Sequence, residues 1–373
     1  MRDPKLDFLR FIGVTLVMFN HLSYTGNSFV ERIMGKLCIG GWIGVDIFFV
    51  LSGFLVSGLI FKEYDKYQSF DVPHFLIRRG LKIYPTFYVF LGLSYAASAM
   101  FTSVFPHDTL QGLLHEATFT SNYLSFNNGP LWSICIEEHF YFFLAILFFI
   151  LIKFQKLNLR YVLATYFVLF IATSFFRYQN YISHNDYNFY RDYSRTHFRV
   201  DSLFCGVLLF YTYNYHKAQL TKFLSGKLNY VLLAISFLFM ASNFMLTRYD
   251  HRWMSVVNLA LHPIFVGCIM LNFLEGNNER VNKLIRPFAY IGKYSYPIYL
   301  FHGRINEAVF HFFTGYKYYI VYFLLSIIIG ILVSKIIEYP VLQLRDRYFP
   351  SKSKALTAAP VHKKRSLPMI SFD

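Results

Sequence analysis

Apolar residues are grouped along this chain in long blocks separated by short polar and basic segments. Blocks near the roughly 20 residues that a bilayer-crossing helix requires recur at about 8 to 24, 42 to 61, 84 to 104, 131 to 152, 161 to 176, 199 to 215, 228 to 247, 254 to 274, 288 to 312 and 318 to 338. The pattern predicts an all-α, polytopic membrane protein with about ten transmembrane helices. The ninth block carries Lys293, Pro297, His302 and Arg304, and fits a broken or re-entrant segment as well as a span.

Composition agrees with that class: 55% of residues are hydrophobic, 21% aromatic and only 15% charged, with a mean hydropathy of +0.37. The net charge of +15 in a soluble protein would suggest nucleic acid, but here the basic residues follow the membrane. With ten spans and a cytoplasmic N-terminus, 26 of the 36 lysines and arginines fall on the cytoplasmic side, the bias expected of inner loops. Both termini are therefore expected in the cytoplasm, with no nucleic-acid partner. Residues 1–348 read as the integral membrane domain and 349–373 as a basic, disordered cytoplasmic tail near anionic lipid headgroups. The first apolar block starts almost at Met1 and is followed by no small-residue cleavage site, so it is expected to be retained. Cys38, Cys135, Cys205 and Cys268 show no metal-ligand spacing, and no metal is expected.

Candidate chemistry begins in the first block. Arg10 and His21 are eleven residues apart, which on a helix is three turns plus roughly 20°, so they share a face about 16 Å apart. Ionisable groups inside a membrane are costly and tend to line polar cavities. A snorkelling arginine and an unrelated buried histidine fit the same two residues. Asp46, in GWIGVDIFFVLSGFLVSG, has a depth that would let it meet His21 and orient it as a general base, or form a structural buried pair. Gly44, Gly53 and Gly58 in this stretch suit close helix packing.

GPLWSICIEEHFYFFL sets Glu137 and Glu138 side by side. Adjacent helical carboxylates cannot share a face, so at most one points into a site and the other is expected to pair with a basic group. His302, in YSYPIYLFH, belongs to the same half of the membrane, as a packing residue or a participant. HFLIRRGLKIYP clusters Arg78, Arg79 and Lys82 near Arg10; arginine forks and ammonium groups suit phosphate oxygens, and equally lipid headgroups. The tyrosine-rich segment RYQNYISHNDYNFYRDYSRTHF, residues 177 to 198, suits sugar recognition by ring stacking and hydroxyl contacts, or interface anchoring.

Taken together, LDFLR, the Arg10 and His21 pair, GVDIFFVLSGFL, RRGLKIYP, LWSICIEEHFYF, THFRVDSLFCGVL, YSYPIYLFH and IEYPVLQLRDR, in this order, resemble the acyltransferase 3 family of membrane O-acyltransferases. The resemblance implies transfer of an acyl group, most commonly acetyl, from cytoplasmic acyl-coenzyme A to a hydroxyl of an extracytoplasmic glycan or lipid-linked saccharide, such as a surface polysaccharide, lipopolysaccharide or peptidoglycan, at the cell membrane. It implies that Arg10 and His21 are essential and that Arg79, Lys82, Glu137 and Glu138 are functional; with the reading of the residues above, the catalytic candidates are His21, Asp46, Glu137 and Glu138, the donor-binding candidates Arg10, Arg78, Arg79 and Lys82, and the candidates for the acceptor side His197, Arg199, Asp201 and His302. Lys82 stands where the family's R-x-x-R motif has its second arginine, which keeps charge and loses bidentate geometry. Members often carry an added hydrolase-like domain, and the short segment after the tenth block makes this chain resemble a stand-alone member. A transporter or flippase with an intramembrane ionisable relay, or a non-catalytic scaffold, would share several of these features.

Overall fold

The computed structural model describes residues 3–23, 29–101, 109–124, 128–247, 250–276 and 278–352, and every regular element among them is helical. The chain runs through α1 (Pro4–Asn20), α2 (Phe29–Gly40), α3 (Ile43–Tyr67), α4 (Val72–Met100), α5 (Leu110–Ala117) and α6 (Leu131–Lys153). It continues through α7 (Leu159–Ser183), α8 (Phe189–Asp192), a 3-10 turn at Thr196–Phe198, α9 (Val200–Tyr215), α10 (Lys217–Leu224), α11 (Lys227–Ser242) and α12 (Met254–Glu275). The last are α13 (Glu279–Gly292), α14 (Ser295–Phe312), α15 (Gly315–Val333), a π turn at Ser334–Glu338 and α16 (Tyr339–Tyr348).

Among the described residues each of the ten apolar blocks is largely helical, and the greatest departures from the expected bounds are in three of them. α4 starts twelve residues early because Asp71 caps it, its side chain accepting the His74 amide at 3.0 Å with Pro73 in the first turn. The ninth block breaks into α13 and α14 around Lys293 and Tyr294. The tenth runs on through the π turn into α16. The tail from residue 353 onward lies outside the described residues.

Among the described residues, five helices are long and apolar enough to cross a bilayer, and six if the α10 and α11 pair, bent by 76°, is one span. The protein is a multi-pass membrane protein. α1, α4 and α14 stay outside that group because α1 is only 17 residues long and all three carry charged or histidine side chains. Phe167, Val168 and Ile171 on α7 and Leu324, Ile328 and Leu332 on α15 are exposed, as lipid-facing positions would be.

α3 is the central helix, with Phe49, Val50, Ile60 and Phe61 fully buried. Glycine lets its neighbours approach. A β-carbon on Gly53 would lie 1.8 Å from the Leu203 carbonyl oxygen of α9, and one on Gly206 would lie 2.1 Å from the Val50 carbonyl. Without a hydrophobic drive between helices in lipid, such backbone contact is what joins them. Gly53→Val should therefore cost about 3 kcal/mol or more, read as a lower unfolding midpoint in detergent; an unchanged midpoint would mean that the helices separate freely.

Candidate functional site

Two cavities lie along α1, one at each end of the Arg10 and His21 face. The first, of about 400 Å³, is lined by five cationic side chains, Arg10, Arg79, Lys82, Lys293 and Arg345, and by two carboxylates, Glu137 and Glu338. The second, of about 520 Å³, holds His21 with Trp42, Trp132, Phe189, Tyr190 and Tyr193. Val45 and Tyr299 line both.

Local structure accounts for the cation cluster. Arg10 is braced by Asp7 one turn earlier. α13 crosses α1 so closely that a β-carbon on Gly292 would lie 1.8 Å from the Asp7 carbonyl, and this contact delivers Lys293, the next residue, beside Arg10. Arg79 lies over the rings of Phe75 and Tyr141, at 5.8 and 5.7 Å, and Lys82 follows it by one turn. Glu338 closes the π turn, accepting from Ser334 Oγ at 2.8 Å. Leu342 and Arg345 follow it at helical spacing and line the same cavity. Such a net-positive recess concentrates anions, and its forks and ammonium groups suit phosphate.

Of the adjacent glutamates, Glu137 faces this cavity and Glu138 does not. Glu137 accepts hydrogen bonds from Ser52 (3.0 Å) and Tyr141 (2.5 Å), with Arg79 and Lys82 near enough to act on its charge. Glu138 turns to Tyr84, whose hydroxyl donates to it at 2.9 Å, so its partner is a phenol and not the expected basic group.

His21 closes the end of α1. Its carbonyl accepts from Asn306 Nδ2 at 2.7 Å, and the Met18 carbonyl accepts from the Tyr322 hydroxyl at 3.2 Å. The first contact satisfies a carbonyl that the helix end leaves open, and the second adds to the His21 amide bond that Met18 already accepts at 3.3 Å. The ring of His302 meets that of His21 edge-on, with centroids 5.0 Å apart. His302 Nδ1–H donates to the Tyr299 carbonyl at 2.6 Å, which fixes its tautomer.

Several expected site residues lie elsewhere. Asp46 does not meet His21: it is wholly buried, pairs with Arg199, and accepts from His262 Nδ1 at 2.8 Å. Among the described residues no carboxylate holds the His21 ring; Ser52, which holds Glu137, is six residues or about 9 Å along α3 from Asp46. Arg78 is about 100° around α4 from Arg79 and reaches Asp346 at 3.0 Å and the Phe349 carbonyl, tying α16 to α4 outside the cavity. His74 contacts the Pro350 carbonyl at 3.0 Å, and Lys352 reaches Asp71 at 2.6 Å, adding to that tie. Lys352 and the His74 amide hold the Asp71 carboxyl below its usual range.

The acceptor-side candidates of THFRVDS are also inward or lateral. Arg199 lies fully buried over Phe49 and Tyr193, and Asp201 is paired with Arg177 at 2.6 Å. His197 stacks on Tyr123 and meets its hydroxyl at 2.9 Å. From the tyrosine-rich segment it is Phe189, Tyr190 and Tyr193 that reach the His21 cavity. Sequence reasoning missed Lys293, Glu338 and Arg345 as cavity residues and His262 as the Asp46 partner; the only signal for Glu338 and Arg345 was the motif IEYPVLQLRDR, which had no role attached.

A family model described as an acyltransferase domain, that of the type 3 acyltransferases, matches residues 3–339. A Staphylococcus aureus strain COL protein named "Putative O-acetyltransferase" is 27% identical over 365 residues, 90% of this chain and 57% of its own. The peptidoglycan O-acetyltransferase OatA of Listeria monocytogenes is 26% identical over 325 residues, 81% of this chain and 49% of its own. An uncharacterised Haemophilus influenzae protein is 29% identical over 257 residues, 62% of this chain and 99% of its own. The chain spans about half the length of the first two. No solved structure matches it.

Proposed function

The chain belongs to the acyltransferase 3 family, and from that premise we propose that it carries an acyl group, most simply acetyl, from acyl-coenzyme A in the cytoplasm to a hydroxyl of an extracytoplasmic glycan or lipid-linked saccharide. The observation that carries this reading is the pair of cavities on one helix, cationic around Arg10 and aromatic around His21, meeting at Val45 and Tyr299. All five cations of the first cavity belong to segments that the charge bias assigns to the cytoplasm. This fits the proposed ten spans in the cell membrane with both termini inside.

In this mechanism Arg79, Lys82, Arg10, Lys293 and Arg345 hold the phosphates of the donor, and its pantetheine arm runs along α1 toward His21. The arm is suited to the roughly 16 Å between Arg10 and His21. The acceptor sugar stacks on the aromatic lining of the second cavity. His21 takes the proton of the attacking hydroxyl as its oxygen bonds to the thioester carbon. The carbon–sulfur bond breaks, and the proton passes to the departing thiolate, leaving an ester and free coenzyme A. Glu137, held by Ser52 and Tyr141 among the cations, positions that cluster.

Mass spectrometry of surface glycans from a deletion strain and its parent tests the reaction: the parent should carry an acyl mass that the deletion lacks. Identical glycans would defeat the proposal. Coenzyme A binding tests the donor site. Arg79→Ala should weaken it at least tenfold, in keeping with loss of a charge-assisted contact, and the affinity should fall with salt. Arg78→Ala should change it less than threefold, because Arg78 holds α16 and not the cavity. Equal losses in both variants would point to a shared headgroup surface.

A further inference from the structure

The two cavities share two lining residues, Val45 and Tyr299, and we propose that these form the boundary between them and are its specificity-determining residues, setting the length of acyl chain that reaches His21. The inference rests on the proposed acyl-coenzyme A reaction and goes beyond it by naming what selects the donor. With phosphates held beside Arg79 and Lys82, the acyl end has to come past the two residues that line both cavities.

Neither boundary residue moves aside without cost. Val45 is 7% exposed and lies one residue from Asp46, whose carboxylate is held by Arg199 and His262, so its backbone is fixed by a buried ionic cluster. The Tyr299 hydroxyl donates to the Pro130 carbonyl at 3.0 Å. Its proton thus committed, it accepts from Ser133 Oγ at 2.6 Å. Its ring meets Phe48 edge-on at 5.8 Å, and its carbonyl holds His302. A rigid boundary of one β-branched side chain and one tethered ring discriminates by volume. A two-carbon acyl group passes where a longer chain overlaps the valine methyls, and each methylene so excluded is worth about tenfold or more in rate. Val45→Ala removes two carbons, the number by which butyryl exceeds acetyl.

Everted membrane vesicles from cells making the full chain, with their own envelope glycan as acceptor, should be supplied with acetyl- or butyryl-coenzyme A. Ester-linked acyl groups are then identified by mass. The wild type should transfer acetyl in preference to butyryl. Val45→Ala should raise the butyryl-to-acetyl ratio about tenfold or more, and Tyr299→Phe, which keeps the ring and releases its tether, should raise it by a smaller factor. If both variants transfer acetyl with the wild-type ratio, the boundary does not select chain length. If wild-type vesicles transfer no acyl group from coenzyme A, the reaction itself is wrong and this inference falls with it.

Discussion

His21→Ala should lower acylation by a factor of about 100 to 10,000, the contribution of a positioned general base, while the protein remains in the membrane. An alcohol hydroxyl keeps its proton near neutral pH, so attack on a thioester needs a group to take that proton in the transition state. His21 is the imidazole among the residues lining the two cavities. His302, its neighbour, cannot simply replace it, because its Nδ1–H is committed to the Tyr299 carbonyl and the side chain is fully buried. The ring of His21 is not required to hold α1 in place, since the Asn306 contact is to its backbone carbonyl. Glycan-linked acyl ester should be measured against the amount of membrane-inserted protein. Wild-type acylation in the alanine variant would sink the assignment.

Asp46→Ala should fail differently, by loss of the folded protein. Asp46, Arg199 and His262 are all fully buried, and the arginine lies over Phe49 and Tyr193 with Asp46 as its carboxylate. Removing one partner from a buried ion pair leaves an uncompensated charge and costs about 3 to 5 kcal/mol. Most of that cost should disappear when the arginine is neutralised too, so Asp46→Leu combined with Arg199→Met should recover much of the stability lost by either change alone. Unfolding midpoints of the singles and the double supply the cycle. A stable Asp46→Ala protein with no activity would instead return Asp46 to the reacting groups.

These two residues mark where the sequence was readable. The pairing of Arg10 with His21 follows from helix geometry within eleven residues, and the structure keeps Arg10 on α1 and His21 at its C-cap, each in its own cavity. Likewise, helix geometry says that Glu137 and Glu138 diverge, but which one faces the cavity depends on Ser52, 85 residues away. Asp46 was matched to His21 on depth alone. The partners seen are Arg199, the N-cap of α9, and His262 on α12, 153 and 216 residues along the chain, and depth does not encode which helices are neighbours. The same holds for Arg78 and Arg79, equally basic and adjacent in sequence, which helix rotation sends to different places. The contributions of Lys293 and Arg345 depend on a glycine crossing and on a π turn, and neither leaves a periodic trace in the hydrophobic pattern. Short elements such as α2, α5 and α10 escaped for another reason: at 8 to 12 residues they fall below the length at which an apolar block identifies itself as a span.

The boundary at Val45 and Tyr299 also bears on the electrical side of the reaction. Val45 and Tyr299 are the residues that the cationic and the aromatic cavity share, so in the proposed reaction they form the layer between the cytoplasmic donor and the acceptor. In the proposed reaction the acyl group crosses that layer uncharged and does no electrical work. The thiolate forms beside His21, where the arm has carried the thioester, so the hydroxyl proton reaches it on the same side of that layer and the thiol returns uncharged. No net charge crosses the membrane in a turnover, so collapsing the membrane potential should leave the rate of acylation unchanged, whereas a rate that fell with the potential would show that proton and thiolate are separated across the boundary.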